Sequence, residues 1–285
     1  MKLSTVIVNY NTRDEVLRAV ESLIATGEGL EHEILVVDNA SRDGSAAAIR
    51  EQYPSVTVIE TGANLWFTGG NNAGISASQG DYVLSLNPDT VACPGMLQTM
   101  VAYLAAHPEV GAVTCRMEFP DGTLQRNCSR LAAYTDMLFD YTLLGLIFAR
   151  WRARRRQWMW YADWDRLSDY SVEVAPDSNL MVRRSVLDEV QHYDEGLKLY
   201  FTEDDLCRRI LEHGHEIHYV AGATLIHAEH ASTTKVQRLA TQVYFDDLIA
   251  YARKYFGRAR ALLLGALIFP TRAAMYLKHT VARSR

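Results

Sequence analysis

The N-terminal part of the chain alternates uncharged apolar runs with amphipathic stretches. Ser4 to Asn9 (S-T-V-I-V-N) is β-branched and free of charge, the pattern of a strand buried on both faces. Thr12, followed three residues later by Glu15, has capping-box spacing. Val16, Leu17, Val20, Leu23 and Ile24 continue at helical period, so a helix is predicted after that strand. Glu33 to Val37 reads as a second buried strand ending in Asp38-Asn39-Ala40-Ser41. A short helix over Ser45 to Gln52 leads to a third strand at Val56 to Glu60. Asn64 to Gly74 is Gly/Asn-rich and reads as a loop running into a helix. A fourth strand, carrying Val83, Leu84 and Leu86, stops where Pro88 forbids the ladder from passing Asn87. This alternation predicts a right-handed parallel α/β sheet.

Beyond it, Pro94 to His107 is patterned as a helix and Val110 to Met117 as a strand. Phe119-Pro120-Asp121-Gly122-Thr123 carries an Asp-Gly turn of hairpin type. From Leu124 to Asp169 regularity is lost, and the segment is rich in aromatics and arginine. Strand patterns return at Ser171 to Ala175, Asn179 to Val182, Glu216 to Val220 and Ala223 to Ala228. Helices are expected from Ser185, over Glu203 to Glu212, and over Gln237 to Phe256.

Composition narrows the function classes. A chain of 285 residues with 48% hydrophobic and 22% charged residues can bury a full core, and its net charge of −5 gives no general argument for nucleic-acid binding. The charge is uneven. No acid follows Asp247, whereas Arg253, Lys254, Arg258, Arg260, Arg272, Lys278, Arg283 and Arg285 do, and a second basic cluster spans Arg150 to Arg156. Cys93, Cys115, Cys128 and Cys207 lack C-x-x-C spacing, which argues against zinc and against a disulfide framework. The N-terminus runs straight into a strand pattern without a signal peptide, so a cytoplasmic location is expected.

The candidate chemistry sits at strand ends. No G-x-G-x-x-G follows the first strand and no G-x-x-x-x-G-K-[ST] occurs, so neither a dinucleotide-binding fingerprint nor a P-loop is present. The sheet offers acids instead, Asp38 and Asp89, at successive strand tips that face one crevice in a doubly wound fold. One can accept hydrogen bonds from a base or ribose; the other can hold a divalent cation through oxygen. Asp38 also suits a plain Asx turn before Ser41. Glu203-Asp204-Asp205 places three consecutive acids at a helix start, more than the helix dipole calls for, and such crowding raises a pKa as a general base requires. His227 ends a strand, with His230 close behind.

Taken in order, T-V-I-V-N-Y-N (Thr5 to Asn11), V-V-D-N-A-S (Val36 to Ser41), N-L-W-F-T-G-G-N-N-A-G-I (Asn64 to Ile75), L-N-P-D (Leu86 to Asp89), F-T-E-D-D-L-C-R-R (Phe201 to Arg209) and I-H (Ile226-His227) resemble the family-two inverting glycosyltransferases of the GT-A fold. The similarity is to the branch with bacterial rhamnosyl- and galactofuranosyltransferases, and it covers roughly residues 1 to 230. It implies an α/β, Rossmann-like, mainly parallel sheet flanked by helices. Residues 1–117 would bind the nucleotide sugar, 118–230 would carry the acceptor and base half, and 231–285 would form a C-terminal helical, membrane-associating extension.

The resemblance also implies roles. Asp38 would contact the nucleotide base near Tyr10 and Asn11. Asn64, Phe67, Asn71 and Asn72 would wrap the nucleotide sugar. Asn87-Pro88-Asp89 stands where the family often has D-x-D, leaving Asp89 as direct ligand of a Mg²⁺ or Mn²⁺ ion, completed by His227. That ion would neutralise the departing diphosphate. The base would be Glu203 by gapless alignment of Leu206 and Arg209, or Asp204 by the usual Glu-Asp pair. Pro176-Asp177-Ser178-Asn179, replacing a Gly/Ala-rich segment, reads as a determinant of acceptor or sugar specificity. The expected reaction moves a sugar, rhamnose favoured, from a nucleotide-diphosphate donor to a glycan or polyprenyl-diphosphate-linked acceptor. The competing readings are a sugar-phosphate nucleotidyltransferase, for which Asn9 to Thr12 lacks the Gly-rich basic loop, and a non-catalytic nucleotide-sugar-binding subunit.

Ala261 to Phe269 is continuously apolar but is interrupted by Pro270 and Arg272, short of a membrane span. With flanking cations it suits an interfacial helix on an anionic membrane surface, at the inner face of the cell membrane. Leu143 to Phe148, followed by arginines, Trp158 and Trp160, repeats the pattern.

Overall fold

The computed structural model describes residues 1–228 and 237–281; His230, Arg283 and Arg285 lie outside the described residues. The chain runs β1 (Lys2–Asn9), α1 (Arg13–Thr26), β2 (Glu31–Asp38), α2 (Ser45–Gln52), β3 (Thr57–Glu60), α3 (Trp66–Ala77), β4 (Tyr82–Leu86), β5 (Thr90–Ala92), α4 (Met96–Ala106) and β6 (Val110–Glu118). It continues through α5 (Tyr134–Tyr141), α6 (Leu144–Ile147), α7 (Ala149–Met159), β7 (Tyr170–Ser171), β8 (Asn179–Arg183), α8 (Arg184–Glu189), α9 (Thr202–Glu212), β9 (Glu216–His227), α10 (Gln237–Phe256) and α11 (Arg258–Val281).

One sheet, ordered β3-β2-β1-β4-β8-β6-β9-β5 with β7 beside β9, organises the molecule. The half β3-β2-β1-β4 is wholly parallel, as the strand–helix alternation predicts. β8 then enters antiparallel between β4 and β6, and β9 lies parallel to β6. Apolar side chains on one face pack with α1 and α4, and those on the other with α8 and α9. A third apolar cluster joins α5, α10 and α11 to Leu197 and Phe201.

Several sequence expectations are corrected. Thr12 does precede α1, but its hydroxyl donates to Asn9 Oδ1 at 2.7 Å, so the capping box does not form; buried Asn9 takes the hydroxyl instead. The stretch read as a Gly/Asn loop is helical from Trp66. Its glycines allow α3 to approach β1: a Cβ on Gly70 would lie 2.7 Å from Val8 Cγ1, and one on Gly74 would strike Val6. The two strands expected around Gly222 are the single strand β9, because a bulge between the Cys115–Val220 and Arg116–Thr224 pairings absorbs the intervening residues. Leu124 to Asp169, read as irregular, contains α5, α6 and α7. α11 runs on through Pro270, and no described helix is long and apolar enough to cross a membrane.

Candidate active site

β1, β2, β4, β6 and β9 point the same way, so Asn9, Asp38, Leu86, Glu118 and His227 end on one edge of the sheet. Backbone strain gathers there. Asn11 (φ 55°), Ala40 (φ 61°), Trp66 (φ 62°) and Phe201 (φ 59°) adopt left-handed conformations in the turns around this edge, a strain typical of functional sites.

Asp89 and His227 meet on this side, where the short β5 pairs with β9. The Thr90 hydroxyl donates to the Asn87 carbonyl at 2.6 Å, closing the turn after β4, and β5 then pairs Thr90 with His227. The Ala228 N–H donates to the Asp89 carbonyl at 3.0 Å. These bonds bring Asp89 Oδ1 within 3.4 Å of His227 Nε2, with side-chain exposures of 7% and 11%. Gln125 fixes the ring. Its Nε2 donates to the His227 carbonyl at 2.7 Å, which leaves Oε1 facing His227 Nδ1 at 3.1 Å. Nδ1 therefore carries a ring hydrogen and Nε2 is turned to Asp89, the outer-shell arrangement usual for a ligating histidine. An oxygen and a nitrogen at this spacing could both reach one divalent cation. Among the described residues no group of three His, Cys, Asp or Glu is arranged to hold a metal.

Asp38 lies beside Asn9 in register, 3% exposed. Its Oδ1 accepts from Asn9 Nδ2 at 2.9 Å and its Oδ2 from the Ser41 N–H at 3.0 Å, so the Asx turn is formed and lone pairs are left over for a ligand. Asn11 bridges the two loops: its N–H donates to Ser41 Oγ and its Oδ1 accepts from the Arg42 N–H. Tyr10 is half-buried on the same edge. Asn64 Oδ1 accepts from the Trp66 N–H at 2.8 Å and starts α3. Phe67 packs edge-on against Tyr193 at 5.6 Å.

The two asparagines of α3 are engaged within the fold. Asn71 donates to the Phe67 carbonyl and accepts from Ser85 Oγ; Asn72 is bonded to Tyr193 through both ends of its amide and to Glu195. Asn87 is half-buried, its N–H donating to the Ser178 carbonyl at 3.1 Å, which sets the Asp177 loop beside the Asp89 turn.

The acidic run divides by function. Asp205 is 1% exposed and binds Arg209 Nε at 2.8 Å, Lys254 Nζ at 2.5 Å and Tyr255 OH at 2.7 Å; it ties α9 to α10. Glu203 and Asp204 are half-buried in the first turn of α9. Burial pushes the Glu203 carboxyl up. Burial, and then the nearby Glu203 charge, pushes Asp204 up to about 8. Asp177, on the loop entering β8, joins them. Its Oδ2 is hydrogen-bonded to Thr202 Oγ1, which also lies 3.3 Å from Glu203 Oε2. Burial, then Glu203, raises Asp177 well above the usual carboxylate range.

Residues from α10 complete this side. Asp247 Oδ2 accepts the N–H groups of Lys198, Leu199 and Tyr200 at 3.1, 2.9 and 3.0 Å, fixing the loop that leads into α9. Tyr244 packs on Tyr141, Tyr200 and Phe201, with ring centroids 5.8, 4.9 and 5.6 Å away. Gln125 and Asp247 carry no local sequence signal, because each matters only through a partner distant in the chain. Asp177 is foreshadowed by its unusual segment, but not its link to Glu203.

The sequence profile of Glycosyl transferase family 2 matches residues 4–191. Over 99% of its length the chain is 28% identical to the N-acetylglucosaminyl-diphospho-decaprenol L-rhamnosyltransferase of Mycobacterium tuberculosis, covering 95% of that protein. Among solved structures it is similar to the Pyrobaculum calidifontis mannosyltransferase PcManGT, in complex with GDP-Man and Mn²⁺. The TM-score is 0.60 at 16% identity, over 98% of this chain and 75% of that one. It is also similar to residues 1–349 of TarS from S. aureus, with a TM-score of 0.55 at 15% identity, over 90% of this chain and 74% of that one. The α/β fold is thus of the GT-A type, and the chain belongs to glycosyl transferase family 2.

Proposed function

We propose that this glycosyltransferase moves rhamnose from a nucleotide-diphosphate donor to a hydroxyl of a polyprenyl-diphosphate-linked glycan, with inversion, in cell-surface polysaccharide synthesis. The carrying observation is the meeting of Asp89 with His227 on the sheet edge that also bears Asp38 and adjoins the Asp177–Glu203–Asp204 carboxyls. Asp38, Tyr10 and Asn11 receive the nucleoside. Asn64 and the α3 residues Phe67, Asn71 and Asn72 shape the wall beside it, and Asn87 sets the turn that presents Asp89. Asp89 and His227 would hold a Mg²⁺ or Mn²⁺ ion, which when bound neutralises the leaving diphosphate.

Glu203 serves as base in this reading, with Asp204 beside it. Position 203 shares a helix face with Cys207, whose Sγ is bonded to Ala175 below the loop entering β8, so Glu203 is turned toward the sheet edge. Position 204 shares its face with Arg208, which lies over the Tyr255 ring of α10 at 4.5 Å. Glu203 removes the acceptor proton while that oxygen attacks the anomeric carbon opposite the diphosphate; a single in-line displacement inverts it. The full-length likeness to a rhamnosyltransferase named for a decaprenol-linked acceptor supports the sugar and the acceptor class. A thermal-shift panel of nucleotide sugars with and without Mn²⁺ tests the donor: dTDP-rhamnose should give the largest Mn²⁺-dependent stabilisation. A larger shift with a UDP-hexose would reassign the sugar.

The same reading places the enzyme on an anionic membrane surface. Leu146 and Ile147 of α6 are 69% and 74% exposed, next to the arginines of α7. α11 buries Ala261, Leu264 and Ile268 yet exposes Leu262 and Phe269. Both groups stand on elements packed against α5. Replacing Leu146, Ile147 and Leu262 with glutamate should abolish sedimentation with anionic vesicles; unchanged sedimentation would refute this placement.

A further inference from the structure

We propose that Asp177 is a positioning residue for the base: it holds the Thr202 hydroxyl so that the hydrogen of that hydroxyl is aimed at Glu203. The inference rests on Glu203 being the base.

The argument begins with a count of hydrogens. Thr202 Oγ1 is bonded to Asp177 Oδ2 and lies 3.3 Å from Glu203 Oε2. A hydroxyl has one hydrogen and two lone pairs, so it can donate to only one of these oxygens. Both contacts are full hydrogen bonds, rather than one hydrogen shared between two acceptors, only when one of the two carboxyls is itself protonated and donates to Oγ1. Asp177 is the group that holds that proton: burial raises both carboxyls, and the Glu203 charge raises Asp177 further. The order is then Asp177 O–H to Thr202 Oγ1, and Thr202 O–H to Glu203 Oε2.

This order serves the reaction. A hydrogen bond donated to the ionised form keeps Glu203 as a carboxylate, with one oxygen anchored and the other available to the acceptor hydroxyl. In the transfer, the acceptor O–H bond breaks and its proton goes to Glu203. The freed electron pair bonds the anomeric carbon, and the bond from that carbon to the diphosphate breaks with its pair leaving on the diphosphate. The Asp177 and Thr202 hydrogens stay where they are.

The groups facing this chain of bonds are Tyr193 from the segment after α8, and Asp204 and Cys207 from α9. Asp204 is pushed up to about 8 by burial and then by Glu203, so below that pH it is uncharged and adds no like charge to Glu203. Thr202 is 2% exposed, so no bulk water replaces its hydroxyl when it is removed.

The test is the pH profile of kcat/KM for Asp177→Ala, Asp177→Asn, Thr202→Val and Thr202→Ser, with Glu203→Gln as reference and a melting curve for each. Losing the donor raises the Glu203 pKa. Asp177→Ala and Thr202→Val should therefore move the acidic limb up by about one pH unit, costing about tenfold near pH 6 and little near pH 9. The donor KM should stay unchanged. Asn at 177 can donate through its amide and Ser at 202 through its hydroxyl, so both should keep the wild-type profile. Equal losses at every pH, or an Asp177→Asn variant as impaired as Asp177→Ala, would overturn the inference. An active Glu203→Gln enzyme would instead refute the base assignment, which separates the two failures.

Discussion

Asp89 Oδ1 lies 3.4 Å from His227 Nε2, and the ring is turned to it by Gln125 through the backbone and Nδ1 together. The register of β5 against β9 creates this pair; neither residue could reach the other from its own strand end alone. Asp89→Ala and His227→Ala should each abolish the Mn²⁺-dependent part of donor binding. Gln125→Ala should weaken Mn²⁺ about 10- to 100-fold, as expected of a partner that orients a ligand. Calorimetric titration of Mn²⁺ with nucleoside diphosphate present checks this. Unchanged Mn²⁺ affinity in His227→Ala would remove the histidine from the site.

Asp204 makes stability depend on pH. Its carboxyl is raised from 3.8 to about 8 by burial and then by Glu203, so the folded state binds more protons than the unfolded state between those values. Stability must therefore fall as pH rises from about 4 to about 8, and be greatest on the acidic side of that window as far as this group is concerned. Asp204→Asn should flatten the dependence and raise the melting temperature at pH 8. Melting curves across the window provide the measurement.

Asp205 is a structural acid. It is 1% exposed and balanced by Arg209 and Lys254, the latter also reaching Asp194 at 2.5 Å. Asp205→Ala takes the carboxylate from Arg209 and Tyr255, while the exposed Lys254 keeps Asp194, and should cost about 1–3 kcal/mol in urea unfolding. Activity measured well below the new melting temperature should fall less than in Glu203→Gln.

Asp247 couples α10 to the catalytic half. Its Oδ2 accepts three consecutive N–H groups, and removing it leaves these part-buried donors without that partner, at a cost of about 1–3 kcal/mol. Since that loop enters α9, Asp247→Ala should also lower kcat while leaving the donor KM nearly unchanged. Steady-state kinetics on the variant test this.

The parallel half of the fold was legible because its signals are local: β-branched uncharged strands, amphipathic helices, and Asp38 and Asp89 at strand tips. The antiparallel insertion of β8 was not, since sheet order depends on pairing between distant segments. The start of α3 reads as part of the loop before a helix because glycine and asparagine signal turns, whereas here Gly70 and Gly74 permit close packing on β1. Glu203-Asp204-Asp205 stood out as a run, yet only burial and partners separate Asp205 from its neighbours. α5 to α7 are only partly legible: Leu143 to Phe148 and the arginines after it match an interfacial helix, but α7 has no buried residue to impose a helical apolar period.

The most direct test of the central claim is transfer itself, with dTDP-rhamnose, Mn²⁺ and a polyprenyl-diphosphate-linked N-acetylglucosamine acceptor, in wild type and Glu203→Gln. The account predicts a rhamnosylated lipid of inverted anomeric configuration from wild type, and loss of about 10²- to 10⁴-fold in Glu203→Gln, the usual contribution of a general base. Equal transfer by both proteins, or a product of retained configuration, would contradict it.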